Sequence, residues 1–146
     1  MLKELNIRNF ALIDDLSMSF SPGLLAMTGE TGAGKTIILE SLQLLFGKRS
    51  DAQMIRHGED KAEVSGTFVL DNVQQDELGL PGDVRIERTI DKTGRNQIRI
   101  NGEPVTLARI REVTGRIGSI HSQNETLALD DRNTYLSFID QVATEE

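Results

Sequence analysis

The spacing of apolar and polar residues changes along the chain, and each change marks an element. Leu5 and Ile7 alternate with polar neighbours, as do Leu16, Met18 and Phe20, which predicts two half-buried strands. Asp14-Asp15 is the expected turn between them, and Ser21-Pro22-Gly23 is a second turn. Leu24 to Met27 is a continuous apolar run, short enough to be a buried strand. From 35 to 46 the period becomes helical. Ile38, Leu42 and Leu45 stand at i, i+4 and i+7, Phe46 completes the stripe, and Gly47 is a fitting stop.

Residues 48 to 62 read as an irregular polar loop. Alternation returns at Val64, Phe68 and Leu70, with Gly66 between them, and again at Val84, Ile86 and Ile90. Asp91 to Gly94 is a turn and Gln97 to Ile100 a returning strand. Asn101-Gly102 is a strong hairpin signal, because both positions tolerate positive φ. Thr106 is placed to cap a helix carrying Leu107, Ile110 and Val113, and Ile117 to Ile120 reads as a short strand. The last segment, 130 to 146, looks helical and ends without a stop signal. This order predicts an α/β fold with a mixed, largely antiparallel sheet rather than regular βαβ alternation.

The chemistry is concentrated between the apolar run and the first helix. Gly29-Glu30-Thr31-Gly32-Ala33-Gly34-Lys35-Thr36 matches G-x-x-x-x-G-K-[ST], a pattern that arises by chance in roughly one chain in a few hundred of this length. Its context is what the mechanism requires: an expected strand before it and an amphipathic helix after it. Glycines let the backbone curl so that successive N–H groups face phosphate oxygens, and the helix N-terminus adds partial positive charge. Lys35 reaches the β- and γ-phosphates, the Thr36 hydroxyl is a Mg²⁺ ligand, and Ile37 closes the nucleotide-binding set. The bland alternative is a glycine-rich turn with a surface lysine. Tyr135 to Asp140 superficially resembles an apolar run ending in a Mg²⁺-binding Asp, but Ser137 interrupts it and Gln141 follows, so an amphipathic helix suits it better. His57 and His121 have no metal-ligand partners at useful spacing and read as surface residues.

Length and composition set the limits. A chain of 146 residues has room for one domain, burying roughly two-thirds of its unfolded surface. No cysteine is present, which leaves neither disulfides nor a thiolate metal site. The N-terminus is not a signal peptide, and no stretch approaches the roughly 20 apolar residues of a bilayer span, so a cytoplasmic protein without membrane partners is expected. The net charge is −7, which argues against a dedicated nucleic-acid-binding module. Residues 84 to 116 run against that trend, with eight basic residues against four acidic ones. Solvated faces explain that excess, with a local phosphate-contacting surface as the sharper alternative.

Asn9 to Ile13, the Gly29–Thr36 loop, Met54-Ile55-Arg56-His57-Gly58 and Ile120-His121-Ser122-Gln123-Asn124-Glu125 occur in the order and spacing of the RecN family of bacterial DNA repair ATPases. The chain resembles that family, on the SMC-like branch of the ABC ATPases, over essentially its whole length. The phosphate loop alone indicates an NTPase; the other three segments make the resemblance specific. It implies a P-loop head of ABC/SMC type split by a long coiled coil, with 1–146 as the N-terminal part, truncated before the coil. Gln123 matches the Q-loop glutamine that contacts Mg²⁺ and the attacking water. Arg56 matches, with a one-residue gap, an arginine that couples ATP to DNA in related SMC heads. The resemblance assigns the signature loop, the Mg²⁺-binding Asp and the catalytic Glu to the C-terminal part of the head.

The implied function is ATP binding within an ATPase of double-strand break repair and recombination, associated with the nucleoid. The implied partners are ATP with Mg²⁺, the C-terminal part of the head, a second head sandwiching the nucleotide, and DNA. Two alternatives stand beside it: a nucleotide-binding module without catalysis of its own, and part of another ABC-type ATPase such as a transporter subunit.

Overall fold

The computed structural model describes residues 1–29 and 32–121. Among these, six strands form one sheet in the order β2-β1-β3-β4-β5-β6: β1 (Leu2–Phe10), β2 (Ile13–Ser19), β3 (Lys61–Val69), β4 (Asp83–Asp91), β5 (Asn96–Ile100) and β6 (Glu103–Pro104). Every pairing is antiparallel, so the parallel component expected of a mixed sheet is absent from the described residues. Helices α1 (Gly32–Leu45), α2 (Asn72–Leu78) and α3 (Leu107–Ile117) and a 3-10 turn at Ala52–Met54 complete the fold.

Period-two alternation turns one face of the sheet inward. Leu5 and Ile7, Val64 and Phe68, Val84, Ile86 and Ile90, and Ile98 and Ile100 are buried there, in one cluster with Ile37, Leu44 and Leu45 of α1 and Ile110 and Val113 of α3. Each such aliphatic side chain contributes about 1.5–3 kcal/mol on full burial. Gly66 lets α1 come close, since a Cβ there would sit 2.8 Å from Leu45 Cδ1. Phe46 meets Phe68 edge-on at 5.9 Å between ring centroids. The outer face is polar. Arg8, Asp15, Glu63, Arg85, Glu87 and Arg99 are among the residues lining a shallow concavity of about 570 Å³.

Local signals are met where their partners lie within the described chain. Asn101 and Gly102 take φ of 50° and 83° at the β5–β6 hairpin. Thr106 accepts from the Arg109 amide and caps α3, and Gly47 ends α1 with a φ of 95°. Helix α2 is an addition to the sequence reading. Its signal was present as a capping box, in which the Asp71 carboxylate accepts from the Gln74 amide and the Gln74 side chain accepts from Asp71 N–H.

Several expectations are corrected. The turn between β1 and β2 falls at Ala11–Leu12, with Asp14 and Asp15 inside β2. Ala11 takes a positive φ of 51° and donates to Met54 O at 2.7 Å, which reverses the chain early enough for Phe10 to pair with Ile13. Helix α1 starts at Gly32, and its fully buried positions are Ile37, Ser41, Leu44 and Leu45, so its inward stripe is rotated by about one position from the expected one. The polar loop 48–62 contains the 3-10 turn and gives its last two residues to β3. Leu24 to Met27 is not a strand, and Leu24, Leu25 and Met27 are exposed. A strand buried on both faces needs a hydrogen-bonding neighbour and cover on each side, and none of the six strands pairs with this run. Ile117 ends α3 and 118–120 is irregular, for the same lack of a strand partner. The expected helix at 130–146 and Gln123 lie outside the described residues.

Candidate nucleotide site

The phosphate-loop motif sits where the irregular segment after β2 runs into α1. The helix begins inside the motif, at Gly32, with no acidic residue in its first turn. Nothing negative there competes for the partial positive charge of the first amides. Lys35 folds back, its Nζ donating to Gly29 O at 2.8 Å, so the ammonium lies across the loop. Thr36 Oγ1 donates to Gly32 O at 2.8 Å, which leaves the hydroxyl oxygen free to accept or ligate. Ile37 is buried in the core, so only its backbone can serve the site.

The residues present fit a triphosphate. Among the described residues, nothing lies within 4 Å of where a Cβ would stand on Gly29, Gly32 or Gly34. The loop backbone is therefore open to the approach of a phosphate. None of the three glycines has a positive φ, so open access rather than a left-handed turn is what their lack of a side chain provides here. Glu30 and Thr31 lie outside the described residues.

The other sequence-singled residues are dispersed. Arg56 belongs to a brace between the β1–β2 turn and the 3-10 turn: its amide donates to Asn9 O at 2.8 Å, and Phe10 bridges to Ile55. Its guanidinium stands 4.0 Å from Asp14, and its recorded partners are in this brace rather than the loop. Two of the four family segments, Asn9–Ile13 and Met54–Gly58, thus fold onto each other. His57 is exposed, His121 lies 3.1 Å from Ser119 Oγ, and no cluster of metal-ligating side chains exists among the described residues.

Most of the basic side chains of 84–116 are paired or buried. Arg85 pairs with Glu87, Lys92 with Asp60, Arg109 with Glu112 and Arg116 with Glu77. Arg111 donates to Gly47 O. Arg88, grouped with a solvated or phosphate-contacting surface on sequence, is buried completely; it continues the inward phase of Val84 and Ile86 on β4. That leaves Arg95 and Arg99, both exposed, without a recorded side-chain partner among the described residues. Arg95 rides on a hairpin ordered by Asp91, whose Oδ1 accepts from the Thr93 hydroxyl at 2.6 Å and from the amides of Thr93 and Arg95. The Thr93 hydroxyl above all, with these amides, holds the Asp91 carboxyl below the usual carboxylate range. The Lys92 ammonium does the same for Asp60.

The sequence pattern of the AAA domain family matches residues 4–144. The chain belongs to that family. Within the AAA domain family it is similar to proteins named DNA repair protein RecN. It is 39% identical to that of Halalkalibacterium halodurans, over 98% of this chain and 27% of the relative. For Bacillus subtilis the figures are 38%, 100% and 27%, and for Vibrio cholerae 39%, 98% and 27%. The chain thus spans about a quarter of the length of these relatives. Among solved structures, one from work on "ATP-driven dimerization and DNA stimulated activation of SMC ATPases" superposes with a TM-score of 0.73 at 19% identity, covering 97% of this chain and 98% of that one. The SMC head domain from Thermotoga maritima superposes with a TM-score of 0.63 at 27% identity, covering 76% of this chain and 41% of that one. The RecN resemblance extends over the whole chain, and the fold of the described residues is that of the N-terminal lobe of an SMC-type ATPase head.

Proposed function

We propose that this chain is the ATP-binding part of an SMC-like ATPase of DNA double-strand break repair and recombination. The observation that carries the reading is the Gly29–Thr36 loop opening α1, with the Lys35 ammonium drawn across it and the backbone open to a phosphate. Amides at the start of α1 and Lys35 would hold the β- and γ-phosphates; Thr36 would hold Mg²⁺, which neutralises charge on the transferred group. Gln123 enters as a proposed contact to the metal and attacking water, on the family resemblance alone. The RecN relatives and the SMC-head fold favour this reading over a transporter subunit.

A second head closing on the nucleotide, and a C-terminal part supplying the catalytic Asp and Glu, belong to the same proposal. Phosphoryl transfer needs a positioned water and charge stabilisation opposite the γ-phosphate, and the described residues contain no group placed for either. The chain alone is therefore expected to hydrolyse ATP negligibly, with turnover appearing when the remainder of the head is added. A steady-state phosphate-release assay checks this. Robust turnover by the isolated chain, lost in Lys35→Ala, would overturn the division of labour, with Asp140 the first residue to examine.

DNA contact by this part is proposed to run through Arg95 and Arg99, the two exposed cations of 84–116 without a side-chain partner among the described residues. Reversing both to Glu in the full-length protein should weaken DNA binding at low salt and flatten the slope of log K against log salt by about 2. An unchanged slope returns both residues to solvated surface.

A further inference from the structure

Helix α1 is seated at one end. Its C-terminal turn receives side chains from two other elements and packs closely on a third. Arg88 of β4 is 0% exposed; its Nη1 donates to Leu44 O at 2.6 Å and to Lys48 O at 3.2 Å, and its Nε donates to Asn96 Oδ1 at 3.0 Å. Arg111 of α3 donates from Nε to Gly47 O at 2.9 Å. Leu45 presses against Gly66 of β3. The other end is bare: Gly32, Ala33, Gly34 and Thr36 are exposed.

Arg88 is a costly way to fill a core position. Burial, with the nearby charge of Arg111, lowers its pKa to about 10, so it stays charged at neutral pH, and its Nη2 has no hydrogen-bond partner among the described residues. An apolar side chain of similar length would fill the volume without desolvating a charge. What the guanidinium adds is direction. Two carbonyls around the helix end and one side-chain amide converge on one planar group with fixed donor geometry, at the negative end of the helix dipole.

We propose that Arg88 is a positioning residue for the triphosphate site. By holding the C-terminal carbonyls of α1, it sets the helix's axial place and rotation on the sheet, and so the place of the N-terminal amides and Lys35. The proposal rests on the phosphate-loop reading above. A helix of 14 residues is about 21 Å long, so Arg88 cannot touch a nucleotide and acts only through the helix. A rigid helix passes a displacement of one end to the other, and among the described residues no end-on restraint holds the loop end.

The test uses the full 146-residue chain as wild type, Arg88→Met and Arg88→Lys. Mg²⁺-ATP is titrated by calorimetry, and the amide resonances of Gly32 and Gly34 are followed by NMR. Arg88→Met is expected to fold cooperatively, to bind at least tenfold more weakly and to shift both loop resonances. Arg88→Lys, which keeps the charge and one donor direction, should recover part of the affinity. A folded Arg88→Met with affinity within twofold of wild type and unmoved loop amides would overturn the proposal. If Arg88→Met does not fold, the same criteria apply to Arg88→Lys. If neither folds, Arg88 serves stability alone and the proposal fails. A wild-type chain that does not bind ATP is a different result: it removes the phosphate-loop reading itself.

Discussion

The two ends of α1 are built on opposite principles. The C-terminal end is enclosed: Leu44 and Leu45 are fully buried, Gly47 turns the chain at a positive φ, and Arg88 and Arg111 take up the end carbonyls. The N-terminal end is open, preceded by an exposed apolar run and with Gly32, Ala33 and Gly34 exposed. A helix end that must receive a ligand keeps its donors unsatisfied. The opposite end then carries the burden of fixing the helix. The comparison separates stability from binding along one element, and substitutions at the two ends should divide accordingly.

The largest effect on stability is expected at the closed end. Gly47→Ala places a Cβ at a φ of 95° and against Arg111 Cγ, combining left-handed backbone strain with overpacking. It should cost about 2–4 kcal/mol, read as a lower urea midpoint at unchanged m-value. A loss under 0.5 kcal/mol would show that the closed end is not a seat. At the open end, Leu24→Ser with Leu25→Ser alters side chains that are 100% and 58% exposed. Stability should move by no more than about 0.5 kcal/mol, and the same urea titration checks it. A loss of several kcal/mol would mean that this run packs against the chain's own core, which would erase the contrast between the two ends.

The same contrast governs what was legible in the sequence. Strands β1, β3 and β4 could be read from alternation, and β5 from the turn before it, because their neighbours are within the described chain and one face is buried, so period and environment agree. Thr106, Gly47 and Asn101-Gly102 act within a few residues, and their signals survive into the fold. Leu24 to Met27 carries an equally clear apolar signal and forms no strand, because a ladder is a property of two segments and the pattern of one cannot supply the other. The stripe of α1 was off by about a position because Ser41, buried through a hydrogen bond to Ile38 O, does not register as apolar. Arg88 was hidden by its charge, although its phase with Val84, Ile86 and Ile90 placed it inward. Of the proposed site, the loop, Lys35 and Thr36 came from spacing alone, since that pattern is local. Arg56 and Gln123 came from family resemblance, and Arg56 is found in a brace that no local pattern encodes.

On the proposed function, a triphosphate is held on Gly29–Thr36 at the open end of α1. Mg²⁺-ATP titrated by calorimetry into the chain and into Lys35→Ala checks this, with far-UV circular dichroism to compare the folds. The lysine side chain contributes no core surface, so a saturable isotherm is expected for the wild type, none for Lys35→Ala, and identical spectra. Equal affinity in both proteins would contradict it.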